Sequence, residues 1–513
     1  MSDEFQEADL EASESIYQDA LDNSRISRRK KLIAIIVGVL VIFVVGGVFA
    51  FSKLSGGGVQ PEELLPADTV AFAKLDLNPS FGQKVEFVRF ISHFSGTFKD
   101  FNSEDPIGSV LNQFTPTSTL NWDEIKPWIG NRFAIAGVQG TDGIAPVAVV
   151  GISDEPQMKY YLAKHQPTFK YVIKEGFAII ADTQATLDIV AASPTHLNSN
   201  NTFRSDVAAL GGSQVAVIWG DLKPLLKAMG NSIDSLSASR GLGSLTNVLG
   251  SSSGRIVFGL HFSSHSLAAT FLTRGMGKSE GSLFSSGQTD LGNLPVETLA
   301  SLSIAGLGDY LSKSVDANAT VRDALDLVGL GRNDIKALLS GPLTVVILPA
   351  PEKNSTPLIA LKFSPRDRST ALASLRTLLN GNSILSNFAS QVKTDGTDIY
   401  VGTDTTSLTS VMHTIANTKS HLSDSKLYRE AIPSSGVFMA YLNLQLLLPT
   451  LNMTGDALKL GTLALVTAED KSQPGSSKTS VTLTVKYEHC WVFPIFLPRR
   501  ANLALCQSEI RAI

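Results

Sequence analysis

A series of apolar runs and turn residues occurs twice in this chain, in the same order, at an offset of about 210 to 230 residues. Pro66 of LLPADTVAFAKLDL has a counterpart in Pro295 of NLPVETLASLSI. Glu124-Ile125-Lys126 and the apolar run Phe133 to Val138 match Asp334-Ile335-Lys336 and Leu343 to Leu348. A second run, Pro146 to Ile152, matches Pro357 to Phe363, and KEGFAIIADTQATLDIV from Lys174 matches TDGTDIYVGTDTTSLTSVM from Thr394. Phe203-Arg204-Ser205 then answers to Tyr428-Arg429-Glu430, and QVAVIWGDLKPLL from Gln214 to GVFMAYLNLQLLL from Gly436. RIVFGLHF from Arg255 pairs with TLALVTAE from Thr462, and LAATFLTR from Leu267 with SVTLTVKY from Ser480. So many elements in one order imply two homologous domains, residues 62–276 and 288–487, joined by a Ser/Gly linker over 277–287.

Within each copy, short runs rich in Val, Ile and Phe come in pairs separated by Gly, Asp or Pro turns, which is the pattern of β-hairpins. Segments with helical spacing lie between them: Gln83 to Phe94, Gln157 to His165, Gln184 to Ala192 and Leu222 to Ser237. Because strands and helices do not alternate strictly, the expected class is α+β with antiparallel sheets in each repeat, in place of a doubly wound parallel fold.

Ahead of the repeats, Leu32 to Phe51 runs without a charge. Twenty helical residues at roughly 1.5 Å each cover a hydrocarbon core of about 30 Å. Arg25, Arg28, Arg29, Lys30 and Lys31 precede this run and only Lys53 follows it closely. The bias predicts a single uncleaved transmembrane helix at 32–51, with residues 1–31 cytoplasmic and the body extracytoplasmic. Residues 1–24 hold acidic side chains and no Lys or Arg, a composition expected to stay solvated. Residues 52–61, with Gly56-Gly57-Gly58, read as a tether. Small residues at Ala34, Gly38, Gly46 and Ala50 suit close approach of two such helices, which makes a homodimer through the membrane an expectation.

Residues 488–513 have no counterpart in the first copy. They collect Trp491, Pro494, Pro498 and the chain's two cysteines, Cys490 and Cys506. VFPIFL from Val492 is too short and too broken by proline to span a bilayer as a helix. Two cysteines cannot make a disulfide-stapled fold, so stability is expected from burial. With a net charge of −4 and dispersed Lys and Arg, no nucleic-acid partner is expected.

Candidate chemistry is thin. Gly250-Ser251-Ser252-Ser253-Gly254 fits the G-x-S-x-G turn of hydrolases, but it precedes a strand where the nucleophile turn must follow one. Gly277-Lys278-Ser279 resembles the end of a phosphate-binding loop, yet Leu272 stands where that loop needs its first glycine. His261 and His265 are four residues apart, about 13 Å on a strand, too far to share one ion. His489 beside Cys490 cannot close a tetrahedral site alone. Trp122, Trp128 and Trp219 are expected in the core, and Asn318, Asn354 and Asn452 fit glycosylation acceptors. No residue is therefore assigned a catalytic, cofactor-binding or metal role.

The run Leu65 to Lys84, with its L-P-A-D start, the L-D-x-x-P turn at Leu75 to Pro79 and Gly82-Gln83-Lys84 opening a helix, resembles the actinobacterial family called domain of unknown function 3352. W-x-x-I-K-P-W-I-G from Trp122 resembles a later segment of that family. The resemblance implies a tail, one membrane helix and an extracytoplasmic region in a bacterial envelope, and it carries no catalytic residue. The expected function is a non-enzymatic, membrane-tethered module that binds or scaffolds an envelope component. The alternative is a carrier or sensor for an apolar ligand such as a lipid, and an envelope hydrolase comes third.

Overall fold

The computed structural model describes residues 58–76, 83, 86, 89–90, 93–94, 122–140, 143–165, 168–229, 254–276, 287–317, 322–323, 325–326, 331–350, 357–381, 391–402, 405–451, 453–470 and 475–486. The expected transmembrane helix and tail, the expected linker before Gly287 and residues 488–513 lie outside them, as do Ser252, Lys278, Asn318, Asn354, Asn452 and both cysteines. No helix among the described residues is long and apolar enough to cross a membrane.

The class is α+β, and its sheet is antiparallel. The first half contributes β1 (Ala71–Asp76), β2 (Ile129–Gly140), β3 (Gly143–Ile152), β4 (Lys170–Lys174), β5 (Phe177–Ala181), β6 (Ala216–Asp221), β7 (Arg255–Phe262) and β8 (Ser266–Arg274). The second contributes β9 (Ala300–Ile304), β10 (Leu343–Leu348), β11 (Leu358–Phe363), β12 (Val392–Asp395), β13 (Asp398–Gly402), β14 (Phe438–Asn443), β15 (Leu460–Glu469) and β16 (Ser477–Val485). The expected separate sheets are in fact one sheet of 16 strands, because β8 and β16 pair with each other. Each half runs in the same order outward from that seam: β8-β7-β6-β1-β2-β3-β5-β4 on one side, β16-β15-β14-β9-β10-β11-β13-β12 on the other. Two edge strands that would otherwise expose unpaired N–H and C=O groups are thereby consumed.

Local chemistry repeats as well. Thr69 donates to the Pro66 carbonyl and Thr298 to that of Pro295, each at 2.6 Å. Pro66 bridges His196, and Pro295 bridges His421. Each histidine precedes a 3-10 turn, Leu197–Ser199 or Leu422–Asp424, and then a capped helix: α4 (Asn201–Ala208) behind Asn200, and α10 (Lys426–Ala431) behind Ser425. In both caps a side-chain oxygen accepts from the first turn's free N–H groups.

The ladder registers correct two sequence matches. Gly137 faces Pro146 and Ile347 faces Ile359, so Pro146 corresponds to Ile359 and not to Pro357. Leu267 corresponds to Ser477 and not to Ser480, since Ala269 and Thr479 occupy equivalent places opposite Leu260 and Thr467. A period of two identifies a strand's faces without fixing how far it slides.

One face of the sheet is filled. α3 (Gln184–Ala192) and α4 set Leu187, Val190 and Phe203 against Phe72, Val217 and Trp219. The Phe203 ring meets Phe72 at 5.4 Å and Trp219 at 5.6 Å, both edge to face. In the second half α9 (Thr405–Asn417) and α10 do the same, and Tyr428 meets Tyr441 at 5.5 Å, also edge to face. Each such buried side chain contributes about 1.5–3 kcal/mol from area alone. The opposite face is covered at its outer strands. There α2 (Glu155–His165), through Met158 and Leu162, packs with Trp128 on Ala178, while α8 (Arg368–Gly381), through Leu375 and Leu379, packs on Phe363 and Ile399.

Candidate functional site

Over the inner strands the second face carries an apolar trough of about 300 Å³. Its floor follows from the alternation of side chains on paired strands. One row crosses the strands as Leu75, Ala216, Leu260, Ala269 and Val481, and a parallel row runs Ile135, Ala73, Ile218 and Phe258. Ala73, Ala216 and Ala269 are the low points, because a methyl stands where neighbouring strands raise Leu, Ile or Phe. Val481 and Leu483 extend the wall from β16, so the trough crosses the seam between the halves. Lys74 is the one charged residue along it. Its ammonium lies 2.6 Å from Glu62, on the filled side of the sheet.

In the second half, larger side chains occupy two of the corresponding places. Ala73 corresponds to Leu302 and Ala216 to Phe438. Phe90 packs in one cluster with Leu75, Ala216 and Leu260 and meets Phe262 at 5.6 Å. Gln83, 5 % exposed, clamps the end of β7: its amide donates to the Phe262 carbonyl at 2.7 Å and accepts from the Phe262 N–H at 3.0 Å. The glutamine of the Gly82-Gln83-Lys84 signature thus has a mechanical role.

Beneath the trough, on the filled face, lies a buried ionic group. Asp206, on α4 and 2 % exposed, accepts from Arg255 Nε at 2.6 Å and Trp219 Nε1 at 3.0 Å. Arg274 Nε stands 3.8 Å from the same carboxylate, and its Nη1 reaches Asp470 in the loop between β15 and β16. Two guanidiniums opposite each other in the ladder, Arg255 and Arg274, share Asp206. The second half has Ala431, Thr462 and Thr484 at these three places, with the two threonine hydroxyls 2.8 Å apart.

His261 and His265 do not converge, while the His93 ring lies 5.9 Å from that of His265. His261 Nδ1 is 2.9 Å from the Ser213 carbonyl, while His265 Nδ1 is 2.9 Å from Ser264 Oγ in the next turn. Burial pushes the His265 pKa down, Glu430 and Glu86 oppose the shift, and His93 and Lys426 add to it. Among the described residues no three His, Cys, Asp or Glu side chains are placed to hold a metal ion. Leu272, at the place a phosphate loop would need glycine, is a fully buried core residue of β8. Trp128 and Trp219 are buried, as the sequence predicts.

The trough itself is not among the sequence expectations. Its signal lies in the repeat, where alanine in one copy faces a large residue in the other at two matched positions. The chain matches no family model, no curated protein and no solved structure.

Proposed function

We propose that this chain is a membrane-anchored, extracytoplasmic binding protein of the bacterial envelope, and that its trough receives the apolar part of an envelope component, an acyl chain in particular. The trough carries this reading. A depression of about 300 Å³ floored by three alanines and walled by Leu, Ile, Val and Phe offers contact to hydrocarbon and no fixed charge to orient a polar substrate. Its volume sits at the lower end of small-molecule sites, which suits part of a chain better than a whole lipid. The matching strand orders of the two halves support a duplicated domain. The charge-free run Leu32 to Phe51, the basic flank before it and the resemblance to domain of unknown function 3352 support the anchor and the envelope location.

Titration of the full chain with a fluorescent long-chain fatty acid tests the reading. Saturable binding to the wild type and its loss in Ala269→Trp, which fills the floor, are expected; binding that Ala269→Trp leaves unchanged refutes it. A scaffold that grips a protein partner would instead show no competition between that partner and fatty acid.

A further inference from the structure

The open apolar surface does not stop at the trough. Val481 and Leu483, its wall on β16, each begin a row of side chains that the ladders carry into the second half. From Leu483 the row runs through Leu463, Leu442, Ala300 and Ile347 to Ile359, one residue on each of β16, β15, β14, β9, β10 and β11. The row beside it runs in the same way from Val481, by way of Ala440, to Leu361. Every position in both rows is apolar. The residues between them on these strands, Met439, Val346 and Ala360 among them, face the other way and are buried in the filled side. Leu463, Val481, Ile359 and Leu361 are instead 36 to 39 % exposed.

Five strand spacings of about 4.8 Å make this strip about 24 Å long, and two rows of about 7 Å each make it about 14 Å wide. About 340 Å² of continuous apolar surface is the size of patch that marks a functional face. It falls well short of the roughly 800 Å² per partner of a stable dimer, and the concave trough beside it offers no complement to its own copy. Hydrocarbon asks for no hydrogen bond and no counter-charge, and it is the occupant that such a surface matches. Ala440 and Ala300, on adjoining strands, keep the middle of the strip low.

We infer that the ligand is a lipid with two acyl chains, one in the trough and one on the strip, straddling the wall of Val481 and Leu483 at the seam. This rests on the reading of the trough as an acyl-chain site and names the class of lipid it takes. The trough holds part of one chain, and the wall stands between it and the strip. A single chain seated in the trough leaves the strip in water. A second chain covalently joined to the first is delivered to the strip at high effective concentration, so even a shallow surface retains it.

Native mass spectrometry of the full chain, which counts bound palmitate and dipalmitoyl phosphatidylglycerol, tests this. The wild type is expected to take two palmitates or one phosphatidylglycerol. Ala269→Trp, in the trough, and Leu463→Asp, on the strip, should each leave one palmitate and weaken phosphatidylglycerol by about tenfold, the worth of two buried methylenes. Ile359→Asp, at the far end of the strip, repeats the measurement on another strand, so a folding fault in one variant does not decide the matter. One palmitate per wild-type chain, lost in Ala269→Trp and kept in both strip variants, overturns the second chain and leaves the trough as a single-chain site. If Ala269→Trp binds as the wild type does while the strip variants lose a palmitate, the trough reading fails and the strip stands as a site. Strip variants that turn a dimer into a monomer with lipid counts unchanged overturn the inference in favour of a second copy.

Discussion

Thr270 in β8 lies directly opposite Ser480 in β16, and each holds the same position in its own half of the sheet. Their hydroxyls stand 3.4 Å apart. A local two-fold axis through this pair turns each half's ladder into the other's, and the outcome is a seam in which neither half keeps a free inner edge. Thr270→Pro removes a ladder donor in the middle of a central strand and should cost about 3 kcal/mol or more. Urea denaturation checks it, and a single transition that splits into two would show that the seam couples the halves. An unchanged midpoint would deny the seam any part in stability.

Asp206 is shared by two guanidiniums, and Arg274 has Asp470 as a second partner. Asp206→Asn should destabilise the protein by about 3 to 5 kcal/mol, since it leaves the part-buried Arg255 without the carboxylate it binds. The second half shows how the same architecture manages without charge. Combining Asp206→Ala, Arg255→Thr and Arg274→Thr installs the residues found at Ala431, Thr462 and Thr484, and should recover more than half of that loss. Thermal melts of the single and triple variants separate a need for charge from a need for compatible neighbours.

A Cβ at Gly341, just before β10, would collide with the Ser364 carbonyl oxygen, and one at Gly130, at the start of β2, would stand 2.7 Å from the backbone of Gly151. Gly341→Ala must shift backbone and should cost about 1–3 kcal/mol. A denaturation midpoint equal to that of the wild type would contradict the close approach.

His265 sits in the turn after β7, which meets the second half: its carbonyl accepts from the Val485 N–H at 2.8 Å, and Ser263 donates to Glu430 at 2.9 Å. Because burial lowers its folded pKa, the unfolded chain takes up the proton first as pH falls. The contribution of the neutral ring is thus complete above the ordinary imidazole value of 6.5 and drains away as pH drops from there through the folded value. Stability of the wild type should fall between pH 8 and pH 5, and His265→Asn should flatten that fall, measured as denaturation midpoints across the range. An identical slope in the variant would assign the effect elsewhere, with His93 the next group to replace.

Much of this architecture is readable from residue order. The match of Pro66 with Pro295 names a turn that both copies build with a threonine three residues on. The helix over Gln184–Ala192 behind its Thr183 cap, the hairpins and the α+β class follow from local rules of capping, turn chemistry and alternation. Those rules act within a few residues, so a single chain displays them. The alanine-for-bulk exchanges at Ala73 and Ala216 were legible too, once the copies are laid side by side.

What the sequence alone determined is thus the inventory of strands, the duplicated order and, by charge and length, the expectation of a membrane anchor. Only the tertiary structure decided that the two copies share one sheet, how far each strand slides and where three alanines line up into a trough. Those outcomes depend on pairings between residues some two hundred positions apart, such as Thr270 with Ser480. Edge strands gain most by covering each other's open hydrogen bonds, and alternation specifies a strand's faces without naming its neighbour.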